Sequence, residues 1–237
     1  MPSLTLSAPV HVLKRRARSL SRARSIPLHA ALDEIAVQEG YRAWSLLAAR
    51  AAHPSTPGEI RARLNPGELL LIGARPVQGK TAFALRMAAD AMKAGRSAFL
   101  YSLEYAARDV PGTFRRLGED PDGFGGNLRV DCTDDIAAPH IIEALADARS
   151  GDIAVIDYLQ LLDRKRETPP LEEQVRALRD FASARGLIMA FLSQIDRSYD
   201  PTAKPMPDLS DVRLSNPLDL GLFDRAVFLQ GGKVTFG

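Results

Sequence analysis

The chain has 237 residues, of which 46% are hydrophobic and 25% charged, and its formal net charge is +2. These values are ordinary for a globular protein with one medium-sized domain and a small addition. No apolar run approaches the roughly 20 residues that a membrane span needs, and no continuous apolar segment follows the basic N-terminus, which argues against a secretory signal. The single cysteine, Cys132, cannot form an intrachain disulfide. We therefore expect a cytoplasmic protein with no membrane partner.

The first part of the chain is basic and has helical spacing. Residues 1–32 contain no acidic side chain. Their basic residues are Lys14, Arg15, Arg16, Arg18, Arg22 and Arg24. We predict a small module of helices over residues 1–52, in which Val12, Leu13, Ala17 and Leu20 share one face of the first helix. The basic residues either contact a polyanion or form a solvated helix face, and the sequence alone leaves both interpretations open.

Residues 53–67 are rich in proline and glycine and predict a linker, within which residues 59–64 can form a short helix. From residue 68 onward, predicted strands and helices alternate. The predicted strands are 68–72, 97–103, 128–130, 152–157, 187–192 and 225–229, and the predicted helices are 82–92, 107–117, 139–149 and 171–185. This alternation predicts an α/β domain over residues 68–237, with a mostly parallel sheet covered on both faces. The carboxyl ends of its strands should meet at one edge, where ligands bind.

Residues 73–81, Gly-Ala-Arg-Pro-Val-Gln-Gly-Lys-Thr, lie between a predicted strand and a predicted helix, which is the context of a phosphate-binding loop. Backbone N–H groups of such a loop bind phosphate oxygens. Lys80 would reach the β- and γ-phosphates, and Thr81 would bind Mg²⁺. The predicted nucleotide contacts are Ala74, Arg75, Pro76, Val77, Gln78, Gly79, Lys80, Thr81 and Ala82. The usual first glycine would fall at Ala74, so a simple glycine turn with an exposed lysine is the alternative.

Polar residues follow three other predicted strands at the same edge. Asp157 ends an apolar strand downstream of Lys80 and Thr81, the position of a carboxylate on the Mg²⁺ side of such a site. Glu104 is either a base that activates water or an acid at the start of a helix. Gln194 is either a sensor of the γ-phosphate or a polar cap on its strand. The long segment 197–224, with Arg197, Lys204 and Arg213, either touches nucleic acid or is a solvated loop.

Taken in order, these motifs resemble those of the DnaB-type replicative helicases, whose ATPase domain has a RecA-like P-loop fold. The matching segments are residues 65–81, 102–104, 155–162, 193–197 and 207–211. The resemblance implies that Mg²⁺-ATP is bound and hydrolysed. It also implies that Glu104 is the catalytic base, that Lys80 neutralises charge, that Thr81 and Asp157 hold Mg²⁺, and that Gln194 senses the γ-phosphate. By the same resemblance, the partners are single-stranded DNA and further copies of the chain in a ring.

The chain also departs from this family. A large N-terminal helical domain is replaced by residues 1–52. The family's last strand leads into a hairpin whose basic residues reach the next subunit's γ-phosphate, whereas only residues 230–237 follow here, with Lys233 as the candidate. We therefore expect that finger hairpin to be missing and hydrolysis to be slow. The alternative function is an ATP-dependent adaptor that binds nucleic acid or a partner with little turnover. A small-molecule kinase is a weaker alternative, because the sequence shows no basic lid.

Overall fold

The structure, a computed structural model, describes residues 7–8, 10–52, 56–163 and 168–237. Residues 53–55 of the predicted linker lie outside the described residues. Within the described ranges, none of the helices combines the length and the apolar character needed to cross a membrane.

The basic N-terminal segment forms helices α1 (Val10–Arg24), α2 (Leu28–Gln38) and α3 (Trp44–Ala52), as the spacing of apolar residues predicts. They pack around a core of their own. Its buried residues are Leu13, Ala17, Ala31, Ile35, Ala36 and Leu47. Burial of one apolar stripe per helix stabilises helices of this length, which are marginal in isolation.

A short helix, α4 (Pro57–Arg61), lies within the segment predicted as a linker. Its start is fixed by a capping box, in which the Thr56 side chain accepts a hydrogen bond from the Glu59 N–H and the Glu59 carboxylate accepts one from the Thr56 N–H. Ile60 is fully buried against the main domain. This part of the predicted linker is therefore ordered and packed.

The rest of the described chain forms a seven-stranded sheet in the order β3-β2-β4-β5-β1-β6-β7. The strands are β1 (Leu69–Ala74), β2 (Ala98–Ser102), β3 (Leu128–Asp131), β4 (Ile153–Asp157), β5 (Ile188–Gln194), β6 (Arg225–Gln230) and β7 (Lys233–Phe236). All neighbours are parallel except β6 and β7, which are antiparallel. The predicted α/β fold with a mostly parallel sheet is confirmed.

Helices cover both faces of this sheet. They are α5 (Lys80–Lys93), α6 (Val110–Arg116), α7 (Ala138–Ala144) and α8 (Leu171–Arg185). Along β1, Leu70 and Ile72 pack on the side of α5 and α6, whereas Leu69 and Leu71 pack on the side of α7 and α8. Because successive side chains of a strand point to opposite faces, an all-apolar strand requires a core on each side. β1 and β4 are accordingly buried along their whole length.

Two elements differ from the sequence prediction. Helix α7 ends at Ala144, five residues before the predicted end, and the chain continues in turns. Residues 233–236 form the strand β7, which the sequence pattern does not predict. The expectation that the hairpin after β6 is missing is wrong, because β6 and β7 are joined by a turn at Gly231 and Gly232. That it lacks a working basic finger stays a prediction. Both glycines have positive φ angles, +55° and +73°, which a tight hairpin turn requires.

Candidate nucleotide-binding site

The predicted site residues lie at the carboxyl edge of the sheet. The strands β2, β4, β5 and β1 are consecutive neighbours, so the residues that follow them are brought together. In the register of these strands, Ser102 lies beside Asp157, and Ala74 lies beside Gln194. The loop after β1, residues 75–79, joins this edge directly to the N-terminus of α5. The fold thus places the loop, Glu104, Asp157 and Gln194 on one edge.

Lys80 and Thr81 converge on Asp157. The Lys80 ammonium lies 3.2 Å from Asp157 Oδ1, and the Thr81 hydroxyl donates a hydrogen bond of 2.9 Å to Asp157 Oδ2. The Asp157 side chain is completely buried, and that of Lys80 is 12% exposed. A buried carboxylate is costly unless it is paired and hydrogen-bonded, and these two partners provide both contacts. The side chains that the sequence assigned to phosphate and metal are therefore joined in one buried cluster.

The loop itself has an unusual backbone. Gly79, which precedes α5, has a φ angle of +82°, and a Cβ at this position would meet no atom within 4 Å. Val77 has a φ angle of +66°, and its side chain is fully exposed. A β-branched residue in this region is strained by roughly 1–3 kcal/mol, and such strain is concentrated at ligand-binding loops. The first N–H groups of α5 follow directly on this loop and have no acceptor within the helix.

The first residue of the predicted nucleotide-contact segment is buried in the sheet. Ala74 is the buried last residue of β1, and its carbonyl accepts a hydrogen bond from Ile195 N–H. Ala74 is therefore part of the scaffold rather than of the open loop. Gly73, one position earlier, packs against Phe228, whose ring would lie 2.7 Å from a Cβ at this position. The glycine that stands one residue before the usual position thus allows a close approach of β1 to an aromatic ring of β6.

Gln78 connects the loop to the edge hairpin. Its Oε1 accepts a hydrogen bond of 2.8 Å from the Gly231 N–H, in the turn between β6 and β7. The sequence did not predict this contact, since the two residues are 153 positions apart. Lys233, the candidate for a basic finger, is the first residue of β7 and is exposed.

Glu104 lies just after β2, where its backbone N–H donates to the Ser102 hydroxyl at 3.1 Å. Its side chain is exposed, and its carboxylate has no hydrogen-bond partner among the described residues. Partial desolvation and, to a lesser degree, the negative charge of Asp157 raise the pKa of Glu104, while the Lys80 charge opposes the shift. The result is a carboxylate more basic than an ordinary glutamate, free to bind water at the mouth of the site.

Gln194 is the last residue of β5, and its carbonyl accepts a hydrogen bond of 2.8 Å from Arg213 N–H. A second glutamine, which the sequence did not single out, lies nearby. Gln160 Nε2 donates to the Arg213 carbonyl at 2.7 Å and to the Ser193 hydroxyl at 3.3 Å. The segment after β4 is thereby attached both to β5 and to the long loop. Gln160 lies in the segment 155–162, one of those that resemble the helicase family, and this was the sequence signal that could have indicated it.

The segment 197–224 is irregular, as predicted, and part of its charge is internally paired. Lys204 forms ion pairs with Asp208 at 2.7 Å and with Asp211 at 2.5 Å. Hydrogen bonds from Lys204 and Ser210 lower the pKa of Asp208 to about 2. Arg197 and Arg213 are exposed. Lys204 therefore stabilises the loop itself, and the two arginines are the cations that remain available at its surface.

The cluster at Asp157 has the donor set that Mg²⁺ prefers. This ion is commonly bound by one or two protein oxygen ligands together with substrate phosphates and water. The Thr81 hydroxyl and the Asp157 carboxylate are such ligands, and they are already adjacent. Among the described residues, no group of three or more histidine, cysteine or acidic side chains is arranged to hold a metal by itself. The residues present fit a metal that shares its coordination with a nucleotide.

Comparison with known proteins gives a consistent family likeness. Residues 59–118 match the family model described as DnaB-like helicase C terminal domain. The chain is 27% identical over 203 residues to the replicative DNA helicase DnaB of Helicobacter pylori (strain ATCC 700392 / 26695), covering 72% of this chain and 41% of that protein. It is 28% identical over 186 residues to the DnaB of Geobacillus stearothermophilus, covering 64% and 40%. The chain thus spans about two fifths of the length of these relatives.

Solved structures share the fold. The ATPase domain of G40P aligns with a TM-score of 0.57 at 20% identity, covering 78% of this chain and 81% of that domain. A DnaB-like replicative helicase, solved for its interactions with primase, aligns with a TM-score of 0.55 at 22% identity, covering 69% and 47%. The RecA-like fold expected from the sequence is confirmed by these structures.

Proposed function

We propose that this chain, which resembles the ATPase domain of the DnaB-type replicative helicases, is a cytoplasmic Mg²⁺-dependent ATPase that acts on DNA. The observation that carries the proposal is the convergence of Lys80 and Thr81 on the buried Asp157 at the carboxyl edge of the sheet. A loop, a lysine, a hydroxyl and a carboxylate are the parts that a phosphate-binding ATPase requires, and the closeness of these groups at one sheet edge supports the proposal.

Each residue has a role that its position supports. The N–H groups of the loop and of the first turn of α5 bind phosphate oxygens, and Lys80 neutralises charge on the β- and γ-phosphates. Thr81 and Asp157 would hold Mg²⁺, which would neutralise phosphate charge when bound. Glu104, whose pKa is raised and whose carboxylate has no hydrogen-bond partner in the described ranges, orients the attacking water and accepts its proton. Gln194, at the end of β5, senses the γ-phosphate and couples its presence or absence to the loop 197–224.

A matched pair of variants tests the proposal. ATP binding and steady-state turnover, with and without single-stranded DNA, would be measured for the wild type, Lys80→Ala and Glu104→Gln. We expect Lys80→Ala to lose both nucleotide affinity and turnover, and Glu104→Gln to keep affinity but lose turnover by at least tenfold, because general bases contribute roughly 10²–10⁴-fold. Normal turnover in Lys80→Ala would refute the site. Arg108→Gln, an exposed position on the same segment as Glu104, serves as the control and should behave as wild type.

A second function, an ATP-dependent adaptor with little hydrolysis, is favoured by one observation. The hairpin β6–β7 is present, but Lys233 is the only basic residue in β7. If copies assemble in a ring, as we propose from the family likeness, Lys233 is the group that would reach a neighbouring site. Mixing an excess of Lys233→Ala subunits into wild type distinguishes the two functions. A turnover lower than the wild-type subunits alone would give indicates a motor whose site is shared between subunits. Tight ATP binding with negligible turnover in all samples indicates an adaptor.

A further inference from the structure

The outward face of α1 carries a row of cations. The opposite face is used in the helical core, where Leu13 and Ala17 are fully buried and Leu20 is partly buried. The residues Lys14, Arg15, Arg18 and Arg22 are all exposed. Lys14, Arg18 and Arg22 follow one another at steps of four, so they form one stripe with about 6 Å between successive residues along the helix axis.

These cations are not neutralised by the residues that the structure describes. In α1, Arg24 pairs with Glu34 at 2.9 Å, and Arg16 donates to the Ser7 hydroxyl at 3.4 Å. Four other basic side chains of α1 have neither an ion pair nor a hydrogen bond within the part of the chain that the structure describes. They are the three of the stripe, Lys14, Arg18 and Arg22, and the adjacent Arg15. We call this set the α1 cationic face.

The arrangement destabilises the helix that carries it. Like charges at a spacing of four repel one another along the stripe. No acidic residue occurs in α1. Among the described helices, α8 also has 15 residues, and it shows what a solvated face in this protein looks like, since it carries both acidic and basic side chains. In α8, Arg176 pairs with Glu172 at 2.7 Å, and Arg179 pairs with Asp224. The α1 cationic face therefore differs from an ordinary surface helix.

We propose that the α1 cationic face binds the phosphate backbone of single-stranded DNA, independently of the nucleotide site. This inference deepens the proposed function, on which its choice of DNA rests. A regular row of arginine and lysine with no acid matches a regular row of phosphates, and such contacts carry affinity without base specificity. A membrane surface fits less well, because the apolar face of α1 is buried against the other helices and cannot enter lipid.

The test uses the full chain and labelled oligo(dT). Its affinity would be measured by fluorescence anisotropy from about 50 to 200 mM salt, the range in which phosphate contacts weaken steeply. In the variant Lys14→Gln/Arg15→Gln/Arg18→Gln/Arg22→Gln, we expect weaker binding. The slope of log K against log salt should fall in magnitude by about 0.7 for each phosphate that is no longer neutralised, or roughly 3 for all four. Arg15→Lys/Arg18→Lys/Arg22→Lys keeps the charge and should keep most of the slope.

A second set of four exposed arginines provides the matched control. Arg42→Gln/Arg63→Gln/Arg86→Gln/Arg149→Gln removes the same charge from other surfaces. The inference would be overturned if the two quadruple variants lost DNA affinity and salt slope equally, or if neither variant changed. It would also be overturned if the α1 variant lost binding to phosphatidylserine vesicles and kept its binding to DNA. All substituted residues are exposed, and melting curves would confirm folding. ATP turnover measured in parallel separates the two proposals: normal turnover with an unchanged salt slope defeats this inference alone, and absent turnover with the expected slope change defeats the proposed function alone.

Discussion

The environment of Glu104 makes this residue a pH probe of the site. Its pKa is raised mainly by desolvation and further by the negative charge of Asp157. An elevated pKa in the folded state means that ionisation costs stability above that pKa, and that the cost disappears as pH falls below the ordinary value of about 4.3. If the ionised carboxylate is the base, turnover is lost as the pH falls and Glu104 becomes protonated. Because its pKa is raised, this loss should begin at a higher pH than for an ordinary glutamate.

We therefore expect the Glu104 carboxyl in the nucleotide-free protein to titrate above the ordinary value in a carbon-detected NMR experiment. In Asp157→Asn, which removes the neighbouring negative charge, its pKa should fall. Asp180→Asn, an exposed acid on α8, should leave the titration unchanged. An identical Glu104 titration in the wild type and in Asp157→Asn would show that the two carboxyl groups do not interact.

At the scale of elements, the contact between β1 and β6 limits what can stand at position 73. A Cβ there would lie 2.7 Å from two ring carbons of Phe228 and 3.1 Å from Ile195 Cδ1. Phe228 is buried and cannot swing away freely. We expect Gly73→Ala to lower the free energy of unfolding by about 1–3 kcal/mol, the usual cost of overpacking, as measured by denaturant titration.

Gly112 in α6 is the matched position for comparison. Its nearest neighbour beyond the helix backbone would be Arg116 Nη1 at 3.9 Å from an added Cβ. Gly112→Ala should therefore be neutral or stabilising by up to about 1 kcal/mol, because alanine is the better helix former. If both substitutions had the same effect, the close approach of Phe228 to β1 would not be a real constraint.

The same elements show how far local sequence determines the fold and the site. Helix α8 spans 171–185 as predicted, because Pro170 precedes it and Gly186 ends it in the left-handed conformation. Lys80, Thr81 and Asp157 are predictable because a loop between strand and helix, and a carboxylate at a strand end, are local patterns. The strand β7 has only four residues of alternating exposure, too weak a pattern to recognise. The bond between Gln78 and Gly231, like the strand order, depends on distant segments that local patterns do not relate.

At the scale of the whole molecule, the helical module 10–52 and the sheet domain have separate cores, with no buried residue in common. We expect Leu47→Ala, at a fully buried position of the helical core, to destabilise that module by roughly 2–5 kcal/mol. Hydrogen exchange should then accelerate in α1, α2 and α3 but not in β1 or α5. We propose on this basis that the domain division predicted from the sequence also describes units of stability.

Leu46, the adjacent residue, is 54% exposed and provides the control. Leu46→Ala should leave hydrogen exchange close to wild type throughout, since little apolar area is removed from the core. Faster exchange of β1 in Leu47→Ala would instead mean that the helices and the sheet unfold as a single cooperative unit.

The position of β1 in the sheet has a consequence for how the protein is made on the ribosome. β1 is synthesised before the other six strands of its sheet, yet it pairs only with β5 and β6, which follow more than a hundred residues later. At roughly 5–20 residues per second, the strand that carries the phosphate loop waits on the order of ten seconds for its neighbours. A nascent chain that ends before β5 therefore has no assembled loop, and the ability to bind nucleotide arises late in translation.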